Sequence, residues 1–96
     1  MILFRVENRL GNIIELTVER WNHILRHRVP KDPELLKRAL QDPESIIKSK
    51  SEEQTNLYYL KHEENYIAVV VQEEQGFIKT AYKTKTKKQG EQIWTR

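Results

Sequence analysis

The densest group of chemically able side chains is Arg20-Trp21-Asn22-His23-Ile24-Leu25-Arg26-His27-Arg28. At about 100° per residue, a helix carries Arg20, His23 and His27 on one stripe, away from Trp21, Ile24 and Leu25, with Arg26 on the flank. Two imidazoles one turn apart beside guanidinium groups suit phosphoryl transfer. One histidine can take the proton of a ribose 2′-hydroxyl, and the other can protonate the leaving oxygen. Arginine can hold the phosphate and stabilise the charge that builds on it. The same residues also describe a solvated basic helix face with no special role. Histidines at i and i+4 are metal-ligand types, but a catalytic zinc needs a third protein ligand, and no aspartate or glutamate lies between or just after them. His62 is distant, among glutamates, so no metal is expected.

A second group lies on a strand pattern. In Phe77-Ile78-Lys79-Thr80-Ala81-Tyr82, simple alternation sends Ile78, Thr80 and Tyr82 to one face and Phe77, Lys79, Ala81 and then Lys83 to the other. Thr80 and Tyr82 can hydrogen-bond a phosphate or stack a base. Tyr58 and Tyr59 offer similar rings on opposite faces. For each tyrosine taken singly, cross-strand packing is the better account. Lys48-Ser49-Lys50 has the residues to hold a phosphate and also reads as a plain polar loop. There is no glycine-rich phosphate loop, dinucleotide fingerprint or serine-hydrolase elbow, and no cofactor is expected.

The elements that must position these groups follow from patterning. Ile2, Phe4 and Val6 alternate with Leu3 and Arg5, Gly11-Asn12 is a turn signal, and Ile13, Ile14 and Leu16 follow, which predicts a β-hairpin over residues 2–16. Thr17 is an N-cap for a first helix over about 18–28, closed by Val29-Pro30. Asp32-Pro33-Glu34 opens a second helix with Leu35, Leu36, Ala39 and Leu40 as its apolar face. Asp42-Pro43-Glu44 repeats that grammar and predicts a short third helix holding Ile46 and Ile47. Leu57–Leu60, Tyr66–Val71 and Phe77–Tyr82 are strands joined by short connections, hence antiparallel neighbours. Ile93-Trp94 closes the core or adds an edge strand. The expectation is α+β, with an N-terminal hairpin and helices packed on a C-terminal antiparallel sheet of about four strands. It is one domain over 1–96, with a hairpin at 1–16, a helical part at 17–50 and the sheet at 56–94.

Composition bounds the rest. With 96 residues, 38% hydrophobic and 32% charged, the chain can build one modest core. Its longest apolar run, Tyr66–Val71, is far too short to span a bilayer, and no secretory signal opens it. The absence of cysteine excludes disulfides and suits a reducing cytosol. Residues 51–74 carry six glutamates against Lys61, whereas residues 75–96 carry Lys79, Lys83, Lys85, Lys87, Lys88 and Arg96 against Glu91. A basic end of this kind attracts phosphate-bearing partners or simply keeps edges soluble.

The order of motifs resembles one family. Thr17–His27, Asp42–Ser49, Tyr58-Tyr59, Ile67–Val71, Phe77–Tyr82 and Gly90–Trp94 succeed one another as in the barnase–EndoU–colicin–RelE group, in its phage-associated branch. The resemblance covers residues 17–94; the hairpin and the long Val29–Pro33 connection lie outside its pattern. It implies a helical part on a four-stranded antiparallel sheet and a metal-independent, often toxin-like ribonuclease. Such an enzyme cuts RNA by 2′-hydroxyl transesterification to a cyclic phosphate. By position, His23, Arg26 and His27 match the helix signature, Lys48 and Ser49 match the segment after the second helix, and Thr80 and Tyr82 match the last long strand. Arg20, Ser49, Tyr58, Lys79 and Lys83 would contact the substrate. The expected partners are RNA and, for a toxin, an antitoxin. The alternative is a non-catalytic RNA- or protein-binding module of a toxin–antitoxin or phage-related system. The enzyme requires the helix stripe and the Thr80 region to meet at one cleft.

Overall fold

In a computed structural model that describes all 96 residues, strands dominate. They take 45% of the chain against 17% in two helices, and they form one seven-stranded mixed sheet. This corrects the α+β expectation of a four-stranded antiparallel sheet under a larger helical part. The elements are β1 (Ile2–Glu7), β2 (Ile13–Thr17), α1 (Val18–Ile24), α2 (Pro33–Gln41), β3 (Ser45–Lys48), β4 (Thr55–His62), β5 (Asn65–Gln72), β6 (Phe77–Thr84) and β7 (Gln92–Thr95), with sheet order β1-β2-β6-β5-β4-β3-β7.

Three additions enlarge the sheet. The hairpin β1–β2 does not pack as a separate lobe; β2 joins β6 through one parallel bridge, Glu15 to Phe77. At that joint the Glu15 N–H donates to the Gly76 carbonyl. Asp42-Pro43-Glu44 starts a strand, not a third helix. Ile46 and Ile47 are both buried, and they face opposite sides of the sheet. Two-sided burial needs the period of 2 that only a strand supplies, and β-branched residues favour it. β3 then pairs β4 on one side and β7 on the other, both antiparallel.

The helices behave more locally. In α1 the Thr17 hydroxyl accepts from the Arg20 N–H, but the helix stops at Ile24, four residues short of the expected end. The Arg26 and His27 N–H groups bond back three residues, to His23 and Ile24, so the chain tightens into turns before Pro30. α2 starts as its sequence dictates, with the Asp32 carboxylate accepting from the Glu34 N–H and Pro33 in the first turn.

Both helices cover the same side of the sheet. Ile24 of α1 and Leu36, Ala39 and Leu40 of α2 pack on Phe4, Ile14, Leu16, Ile46, Tyr58, Leu60, Ile67, Val69, Val71, Ile78 and Ala81. The other side carries a smaller cluster of Ile47, Leu57, Tyr59 and Ala68, flanked by Tyr66, Val70 and Tyr82, with no helix over it. The 85–91 segment crosses this open side on its way from β6 to β7. Lys87 pairs with Glu44 and lies 5.1 Å from the Tyr66 ring, the Lys88 N–H donates to the Tyr59 hydroxyl at 2.9 Å, and Gly90 is seated so closely that a side chain there would collide with the Lys48 carbonyl.

Candidate nucleic-acid interface

The position of each candidate is decided by which side of the sheet it occupies. Arg20, His23, Arg26 and His27 belong to the helix side. Their neighbours Trp21 and Leu25 are half-buried and Ile24 is buried, which leaves His23, Arg26 and His27 exposed. The two imidazoles do meet, edge to face with ring centres 6.0 Å apart. No cavity of the molecule is lined by Arg20, His23, Arg26 or His27. Thr80 and Tyr82 lie on the open side, so the sheet stands between them and the histidines. The single cleft that the ribonuclease requires is not formed.

The reason lies partly in a β-bulge. Val71 pairs with Ile78 and its neighbour Val70 pairs with Thr80, leaving Lys79 as the extra residue. Ile78 and Ala81 both reach the helix-side core, whereas Lys79, Thr80 and Tyr82 line the same cleft on the open side. Simple alternation therefore misplaces Ile78 with Thr80, and Lys79 with Ala81.

That cleft, about 520 Å³, is the most chemically marked concavity. Its floor is Leu57, Val70, Thr80 and Tyr82; one wall is the 49–52 loop and the other is Lys88-Gln89. Lys50, Lys79 and Lys88 bring positive charge, and Ser49, Ser51, Thr55 and Thr80 bring hydroxyls. Lys79 is paired with Glu52, while Lys50 and Lys88 form no ion pair. The Lys88 ammonium sits 5.8 Å from the centre of the Tyr82 ring. The Tyr82 hydroxyl is buried without a hydrogen-bond partner, and burial raises its pKa above the ordinary phenol value. No histidine or free carboxylic acid pair lines the cleft, so it can grip an anion but lacks a neutral-pH acid and base.

The other candidates disperse. Ser49 joins the cleft. Lys48, one residue earlier, points to the helix side among Glu53, Gln54, Asn56 and Glu91, where acidic neighbours offset it. Lys83 lies on the helix side at the far end of β6 with Arg28, Pro30 and His62. Tyr58 is fully buried: its hydroxyl donates to Glu73 at 2.5 Å and accepts from Asn8 at 2.8 Å, so it is no substrate contact. Burial and the adjacent Glu73 both push its ionisation upward. Sequence reasoning missed Lys88, Thr55 and Glu52 as cleft residues. Their only signal was the charge and hydroxyl content of segments whose crossing of the sheet cannot be read locally. No family model matches the chain, and neither does a curated protein or a solved structure.

Proposed function

We propose that this protein binds single-stranded RNA on the open side of its sheet and does not cleave it. One observation carries the reading: Lys50, Lys79 and Lys88 surround a hydroxyl-lined cleft on a sheet surface that no helix covers. Lysines supply the sequence-independent attraction to phosphates. Serine and threonine hydroxyls can bond phosphate oxygens and the ribose 2′-hydroxyl that distinguishes RNA. The half-buried Tyr82 offers an aromatic edge beside a base. The ribonuclease implied by the family resemblance needs His23 and His27 at the same phosphate, and those rings lie across the sheet.

The test is fluorescence anisotropy with a labelled single-stranded RNA of about twelve nucleotides in EDTA. Wild type binds and the RNA stays intact. Lys50→Ala/Lys88→Ala weakens binding by about tenfold, and the effect shrinks as salt rises. Absence of binding by wild type overturns the reading. Cleavage in EDTA that a His23→Ala/His27→Ala variant abolishes would replace it with the ribonuclease.

A further inference from the structure

A second basic concavity sits at the other end of β6. Two adjoining hollows, about 380 and 280 Å³, share Arg28 and Lys83. The first adds Val29, Pro30, His62 and Glu63; the second adds Asn65, Thr84 and Lys85. Arg28 arrives from the turns after α1, Lys83 and Lys85 from the end of β6, and Asn65 from the start of β5. None of the three cations forms an ion pair. Glu63 is the one carboxylate among the residues lining the two hollows, and it lines only the first. Elsewhere in the basic C-terminal segment Lys79, Lys87 and Arg96 are paired with Glu52, Glu44 and Asp42, and Lys88 at the cleft is the one other unpaired cation.

We infer that Arg28, Lys83 and Lys85 form a second phosphate subsite, taking a phosphodiester of the same RNA strand that fills the cleft. This rests on the RNA-binding reading above. A guanidinium can hold two phosphate oxygens at once, and two lysines beside it add point charge. Asn65 and Thr84 supply neutral polar partners in the same hollow. The subsite lies at a useful distance from the cleft. Lys79 and Lys83 are four residues apart along β6, about 13 Å at the usual rise, but they face opposite sides of the sheet, so a strand filling the cleft reaches the subsite by passing round the end of β6 at Thr84. A ligand of one or two nucleotides reaches only one of the two sites; a longer strand reaches both and gains from the linkage.

The experiment is a length series read at several salt concentrations, using labelled RNA of about two and about twelve nucleotides. Arg28→Gln/Lys83→Gln/Lys85→Gln should bind the longer RNA at least tenfold more weakly, with the salt slope reduced by about 0.7 for each phosphate no longer neutralised. It should bind the dinucleotide as wild type does. Arg28→Lys, which keeps the charge and removes the fork, should fall between the two for the longer RNA. Lys50→Ala/Lys88→Ala should weaken both lengths. A triple variant that binds the longer RNA with unchanged affinity and slope overturns the second subsite and leaves the cleft reading standing. Wild type that binds neither length overturns both. These side chains are exposed or at the rim, and circular dichroism of each variant verifies that the fold persists.

Discussion

Glu73 accepts four hydrogen bonds and takes part in no ion pair. Asn8 and Asn12 donate to Oε1, at 2.9 and 2.8 Å, and Asn56 and Tyr58 donate to Oε2, at 2.9 and 2.5 Å. The donors come from the β1–β2 turn and from β4, so one buried carboxyl ties the first hairpin to the meander. A carboxylate suits this position because both of its oxygens accept. Glu73→Gln puts an amide N–H₂ against either Asn8 and Asn12 or Asn56 and Tyr58, donors of which all but Asn12 are buried. The expected loss is about 3 kcal/mol of stability by urea denaturation, and Tyr58→Phe should cost about 1–2 kcal/mol by removing one donor and one acceptor. RNA affinity of the folded fraction should stay at the wild-type value, since neither residue lines the cleft. Nothing in the local pattern of Glu73-Glu74-Gln75 marks the first glutamate as buried. The signal was the unusual set of asparagines at 8, 12 and 56, whose convergence needs the tertiary fold.

At the scale of elements, strands with clear alternation and helices with strong caps were legible. β5 and β6 fall where Tyr66–Val71 and Phe77–Tyr82 place them, and α2 starts at its Asp32 cap. β3 was not legible, because Asp-Pro-Glu opens helices and strands alike and only pairing with Tyr58 and Tyr59 decides which. The joint between β2 and β6 was not legible either, since a lone parallel bridge across some 60 residues leaves no local pattern. That joint depends on Gly76. Its φ is +77°, and a Cβ would lie 2.6 Å from the Ile13 carbonyl oxygen. Gly76→Ala therefore meets both left-handed strain and a backbone collision, with an expected cost of about 2–4 kcal/mol. Native-state hydrogen exchange should show faster exchange at the Glu15 amide, which bonds the Gly76 carbonyl. Unchanged exchange at Glu15 would show that the joint does not hold the hairpin.

Taken whole, the molecule separates its two candidate chemistries by a sheet. The two α1 histidines sit on the helix side and the lysine- and hydroxyl-lined cleft on the open side. The sequence placed them in order along the chain, but it could not say that α1, leaving β2, would cross to the side that Thr80 and Tyr82 do not face. No helix is long and apolar enough to cross a membrane. The tyrosines give the whole fold a pH limit. Burial raises the ionisation of Tyr58, Tyr59 and Tyr82 above the ordinary value of 10.0; at Tyr59 the Lys88 N–H bond opposes the shift without cancelling it. A phenol whose folded pKa exceeds its unfolded one contributes stability that is fully present below about pH 10 and lost as pH rises beyond it. Phenolate absorbance should therefore show these three tyrosines ionising together with loss of the circular dichroism signal. Independent titration of these three near pH 10 in a folded protein would contradict the burial.

Lys79 is the extra residue of the β6 bulge, and its ion pair with Glu52 ties the 49–52 loop and not the core. If that one residue were deleted, Ile78, Thr80, Ala81 and Tyr82 would alternate in straight register with Val71, Val70, Val69 and Ala68, and every apolar side chain would keep its seat. The sheet thus holds a residue that its packing does not require, and the spare position delivers an ammonium group to the uncovered surface. A shortened β6 would make a version of this protein with the same interior and a different exterior.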